Sequence, residues 1–145
     1  MDYSIEGLKS RRWYCWLITV FKMSINADSV GVQFATYYYE TYDKDRSKLE
    51  SLFVDVSTMT FEGERLIGKK NIIDKLKSLP SNTMHVTSNI DSQLTVDNGV
   101  FVQVNGQLKF DNDSPHYFTE SFYLKQEKNS WVVLNLVFRL SLHHN

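Results

Sequence analysis

The stretch VFVQVNGQLKFDNDSPHYFTESFYLKQEKNSWVVLNLVFRL, residues 100–140, decides the fold. The pattern has a period of two through three runs, which is the spacing of strands. The runs are separated by DNDSP (111–115) and by Lys128-Asn129, both of turn composition. Upstream, MHVTSNIDSQLTV (84–96) has the same strand character, and Asp97-Asn98-Gly99 links it to Val100. Asn-Gly accepts positive φ at little cost, so a hairpin is expected there. Residues 84–140 therefore read as a long antiparallel meander.

Before Pro80 the period is helical. From Ala27 to about Tyr42, Val30, Phe34, Tyr37 or Tyr38, and Thr41 recur at steps of three and four, with Asn26 or Asp28 available as a cap. YDKDRSKLESLF (42–53) predicts a turn and a short second helix. STMTFEGERLIG (57–68) predicts two short strands around a tight turn at Glu62-Gly63-Glu64. KKNIIDKLKSLP (69–80) is the clearest helix: Ile72, Ile73, Leu76 and Leu79 share one face, and Pro80 ends it. Three N-terminal helices leading into a meander give an α+β fold, with the helices packed on one face of a bent antiparallel sheet.

The last strand needs cover on both faces. A strict alternation puts Val132, Leu134, Leu136, Phe138 and Leu140 on one face, and Trp131, Val133 and Val137 on the other. A sheet with one wet face should not be apolar on both. The helices cover one face, and a second copy of the chain would cover the other, so a homodimer is expected.

The bulk properties narrow the function classes. A chain of 145 residues fits one domain with a core of its own. A formal net charge of −1 argues against nucleic acid as a bulk partner, which needs a concentrated positive field. The lone Cys15 excludes an internal disulfide and any zinc site built on several cysteines. Residues 9–22, KSRRWYCWLITVFK, carry an apolar run with basic flanks. The run is far shorter than the roughly 20 residues a membrane span needs. No small-residue cleavage site follows it, and Met23 opens a natural domain start. Residues 1–22 are read as an extension of doubtful role and 23–145 as the single domain.

Asp111 and Asp113 are the residues most in need of an explanation, since they repel each other at close range. A metal loop of the helix–loop–helix calcium type would place His116 and Phe122 where Gly and Glu are required, so that motif fails. For acid–base chemistry inside a cone of strands, His85, Asp91, Asp55 and Asn105 are the candidates. No nucleophilic triad and no glycine-rich phosphate loop is spaced to support one. No catalytic residue, metal site or cofactor is assigned.

Four segments taken in order, FATYYYETYDKDRSKLESLF (34–53), TFEGERLIGKKNIIDKLKSLP (60–80), GQLKFDNDSP (106–115) and FRLSLHHN (138–145), resemble the nuclear transport factor 2 family. The resemblance runs in register from about Asn26 to the C-terminus. It implies a homodimer of cone-shaped α+β subunits that carries the small GTPase Ran, in its GDP form, into the nucleus. It also implies binding of Phe-x-Phe-Gly repeats of nuclear pore proteins and a place in cytoplasm and nucleus, concentrated at the pore.

By the same resemblance, Glu62, Asp111 and Asp113 would grip basic side chains of Ran. Carboxylates on two turns present several acceptors to Lys and Arg, setting orientation and on-rate. Phe61 and Phe138 would take repeat phenylalanines, with Leu136 and Val137 at the dimer interface. Two departures stand out. Asn135-Leu136 replaces the family's usual Asn-Asp, and SNTMH (81–85) follows Pro80 where a Phe is usual. The alternatives weighed are an adaptor subunit of an mRNA-export heterodimer and a small-molecule isomerase or dehydratase on the same fold.

Overall fold

The computed structural model describes residues 25–142, so the extension reading for residues 1–22 lies outside the described residues. Helix α1 (Ala27–Lys44) starts at Asn26, whose side chain accepts the Ser29 N–H at 3.1 Å. The next segment, Arg46–Leu52, winds as a 3₁₀ helix, capped by the Asp45 side chain. Strands β1 (Phe53–Phe61) and β2 (Glu64–Ile67) form a hairpin, and helix α2 (Lys69–Ser78) follows it. Strands β3 (Thr83–Leu94), β4 (Val100–Phe110), β5 (His116–Glu127) and β6 (Ser130–Leu140) make the meander.

All strands join one six-stranded sheet in the order β2-β1-β6-β5-β4-β3. The α+β class and the helices on one face of a bent sheet agree with the sequence reading. The sheet differs in one respect: β1 and β6 pair in parallel, Phe61 opposite Phe138, so the sheet is mixed. The physical reason is topological. Each hairpin turn fixes only its own neighbours, whereas α2 carries the chain from one sheet edge to the other. The odd number of reversals from β3 to β6 then brings β6 back pointing along β1. Bulges between Thr87 and Asn89 and between Tyr123 and Leu124 bend the sheet.

The bulge in the β5–β6 ladder changes the reading of the last strand. Tyr123 pairs with Asn135 and Leu124 with Val133, which leaves Leu134 as the extra residue. Alternation therefore resets there. Val133, Leu136 and Phe138 join the core, while Val132 lies outside that cluster. A strict period of two could not show this. Leu136 is 1% exposed, so its side chain packs inside its own protomer and does not reach a second copy. Val137, by contrast, is 46% exposed on the outer face.

Helix α1 approaches the sheet very closely at Gly31. A Cβ there would overlap the Ser92 hydroxyl and lie 2.8 Å from the Ser92 Cβ. The Ser92 Oγ is also buried without a hydrogen-bond partner, as expected of an atom pressed against a helix backbone. Helix propensity alone favours Ala over Gly by about 1 kcal/mol. Overpacking opposes it by about 1–3 kcal/mol. Gly31→Ala is therefore expected to lower the urea midpoint, and Ser92→Gly added to it to recover part of the loss. A higher midpoint for Gly31→Ala would contradict this packing.

Candidate functional site

The β1–β2 turn consists of Glu62 and Gly63, with φ of 49° and 88°. Two positive φ values match the right-handed twist of the hairpin, and glycine at the second position suits them. The turn is fastened to the end of β6. The Glu62 N–H donates to the Phe138 carbonyl at 3.1 Å, and the Glu62 Oε1 accepts the Leu140 N–H. The Arg139 guanidinium lies alongside Gly63, where a Cβ would meet it at 3.4 Å.

The β4–β5 turn carries Asp111 and Asp113, both exposed. Asp111 has φ 47°, and its N–H donates to the Asn82 carbonyl at 2.8 Å. The Asp113 N–H closes the turn on the Phe110 carbonyl at 2.9 Å. Among the described residues, no ion pair involves Glu62, Asp111 or Asp113.

Strand register places the two turns at one end of the sheet. Phe61 sits opposite Phe138, Phe118 opposite Leu140, and Leu108 opposite His116. Strands β6 and β5 lie between the turn strands β1 and β4, so Glu62 and Asp111 are three interstrand steps apart across the sheet, a lateral offset of about 14 Å, and the register sets Asp111 several residues further along the strands. They therefore bracket a span rather than form a cluster. A row of rings floors that span. Phe61 stacks on Phe138 with centroids 4.7 Å apart and planes 5° off parallel, and Phe138 on Phe118 at 5.8 Å.

The two phenylalanines assigned to repeat binding differ in access. Phe138 is 3% exposed and is a core ring. Phe61 is half-buried at the surface, with the Lys75 Nζ 5.6 Å above its ring. Lys75 is held there by an ion pair to Glu64. Of the pair, Phe61 is the one that an incoming ring can reach.

The acid–base candidates separate as well. Asp55 and Asp91 are exposed, and Asn105 accepts the Thr119 hydroxyl at 2.9 Å. His85 is buried, its Nδ1 2.7 Å from Asp43 Oδ1, and its ring packs against Tyr39, Tyr42 and Phe118. Burial works to raise the Asp43 carboxyl, but hydrogen bonds from His85 and Thr83 hold it below its usual range.

Sequence reasoning missed Glu120. It is 4% exposed in the core, accepting the Tyr39 hydroxyl at 2.8 Å and the Tyr38 hydroxyl at 3.3 Å. The signal was present: in Phe118-Thr119-Glu120-Ser121-Phe122, a carboxylate occupies the apolar phase of the strand. Among the described residues, no group of three or more His, Cys, Asp or Glu is placed to hold a metal ion.

Residues 30–140 match the family model described as the nuclear transport factor 2 domain. The chain is 38% identical over 122 residues to nuclear transport factor 2 of Candida glabrata, covering 82% of this chain and 98% of that one. With nuclear transport factor 2 of Neurospora crassa the identity is 37% over 123 residues, covering 83% and 99%. The solved nuclear transport factor 2 of Cryptosporidium parvum superposes with a TM-score of 0.76 at 31% identity, over 81% of this chain and 100% of that one. The fold is shared more widely. The C. albicans Mtr2–Mex67 M domain complex has a TM-score of 0.71 at 14% identity, covering 79% of this chain and 94% of that one. The LinA-type3 hexachlorocyclohexane dehydrochlorinase of Novosphingobium barchaimii has 0.68 at 15%, covering 79% and 87%.

The buried Glu120 generates a pH prediction. Burial pushes its carboxyl from the ordinary 4.5 up to about 8, against the lowering effect of the Tyr39 and Tyr38 hydroxyls. The folded chain keeps this proton in a window where the unfolded chain has released it. The unfolded state then binds fewer protons, so stability falls as pH rises from about 4.5 to about 8. Glu120→Gln removes that titration. Its stability relative to the parent, read by urea unfolding at pH 5 and pH 8, is expected to rise across the window by a few kcal/mol. Parallel pH profiles for the two proteins would refute it.

Proposed function

The chain belongs to the nuclear transport factor 2 family, and on that premise we propose that it is a non-enzymatic carrier that takes Ran-GDP into the nucleus. Nuclear transport is the role that the family name carries. The client and its grip are our reading. The observation that supports it is the pair of acidic turns at one end of the sheet, Glu62 on one side and Asp111 and Asp113 on the other. None of the three is neutralised by an ion pair among the described residues.

Such a rim suits a basic client. Carboxylates on two well-separated turns reach Lys and Arg side chains from separate parts of one partner and so fix its orientation. The Leu140 N–H holds the Glu62 carboxylate in place, which reduces the ordering a client must impose. Preorganised charge at the rim also favours fast capture.

Weak contacts with Phe-Gly repeats fit Phe61, whose ring reaches the surface beside Lys75. Transit through a pore requires rapid release, which a small aromatic patch permits. A homodimer fits the outer sheet face, where Met84, Val86, Tyr117 and Val137 are all more than 45% exposed. Cytoplasm and nucleus, with enrichment at the pore, is the localisation this reading entails.

Charge reversal at the rim tests the proposal. Glu62→Lys is expected to weaken Ran-GDP binding by at least about thirtyfold, the range for breaking a close charged contact. Size-exclusion chromatography should show an unchanged dimer. Retained binding in a pull-down with Ran-GDP would overturn the assignment.

A further inference from the structure

Both sides of the rim are fastened to the fold, but by different means. The Glu62 turn hangs on β6 through Phe138 and Leu140. The Asp111 turn hangs on the segment that leaves α2, through the Asn82 carbonyl. That segment is in turn organised by one buried cation.

Arg46 opens the 3₁₀ helix and is 8% exposed, with its guanidinium 4.6 Å from the Tyr42 ring centroid. Its Nη1 donates to the Leu76 carbonyl at 3.0 Å and the Leu79 carbonyl at 2.8 Å. Its Nη2 donates to the Pro80 carbonyl and to the Thr83 hydroxyl at 3.2 Å. A buried cation is expensive without partners, and these acceptors include carbonyls at the C-terminal, negative end of α2. The Thr83 hydroxyl passes the link on by donating to Asp43 Oδ1 at 3.0 Å, while Asp43 Oδ2 takes the His85 N–H at 2.9 Å. Residues 79–83 are thus clamped between Arg46 and Asp43.

The clamp is continuous with the rim. Thr83 pairs with Phe110, the residue directly before Asp111. Asn82 supplies the carbonyl that accepts the Asp111 N–H. We propose that Arg46 is a positioning residue for the acidic rim, fixing through residues 79–83 where Asp111 and Asp113 stand relative to Glu62. Only arginine suits the place. Its planar fork spans four acceptors lying in two directions, whereas a lysine ammonium donates from a single point.

The consequence for affinity rests on the client-binding reading above; the structural coupling does not. The test compares Arg46→Lys with the parent by amide hydrogen exchange and by Ran-GDP titration. Exchange at the Asp111 N–H is expected to quicken by about tenfold or more, with the Glu62 N–H within about twofold of the parent, since β6 holds that turn independently. Ran-GDP affinity should fall about tenfold. Asp111→Asn should then add little in the Arg46→Lys background, although it weakens the parent about tenfold, whereas Glu62→Gln should weaken both backgrounds equally. A purely structural role for Arg46 would leave the effect of Asp111→Asn the same in both. That result, or unchanged exchange at Asp111, would overturn the proposal. Absence of Ran-GDP binding by the parent would instead sink the client reading, and the exchange comparison would still decide the coupling. Should Arg46→Lys fail to fold, the nearly isosteric Thr83→Val breaks the same link and carries the same comparison.

Discussion

The parallel pairing of β1 with β6 is the constraint on which the candidate site depends. Without it, the β1–β2 hairpin would be a separate flap and Glu62 would have no fixed relation to the meander. With it, Phe61 is set opposite Phe138, and the Glu62 N–H and carboxylate both bond to the end of β6. The stacked rings of Phe61, Phe138 and Phe118 then tie β1, β6 and β5 together on the core side. Burial of those rings supplies the driving force, and the backbone bonds supply the register.

A second theme is the placement of polar groups within the apolar core. Arg46, Asp43 with His85, and Glu120 with two tyrosines each find partners, as burial demands. They do not serve the same end. Arg46 and Asp43 organise a chain segment that would otherwise leave α2 without hydrogen bonds. Glu120 sits among aromatic rings and bonds only to hydroxyls, so the folded state favours its neutral form. The geometry here ties His85 to Asp43 among buried rings, with its side chain 2% exposed, an arrangement suited to structure.

Much of this was legible in the residues. The helix at 69–78, the hairpin at Asn98-Gly99 and the turn at Lys128-Asn129 follow from periodicity and turn chemistry, which act between near neighbours in sequence. The acidic turns were legible as turns, and the family resemblance marked their carboxylates. The last strand shows where such reading stops. Strict alternation set Val133 on the face opposite Leu136 and Phe138, but a bulge at Leu134 shifts the phase and brings all three into one core, where Leu136, which the family resemblance placed at a dimer interface, is 1% exposed.

The sequence by itself determined the elements, their order, and the polarity of each strand face up to the first bulge. Those properties depend on local backbone preference and on side chains two to four residues apart. Tertiary structure alone decided that β6 runs beside β1, that Glu62 shares a sheet end with Asp111 and Asp113, and that the buried Glu120 and Arg46 and the half-buried Asp43 find partners. Each of these joins residues far apart in the chain, and it is packing, not local propensity, that selects among the pairings the separate elements would allow.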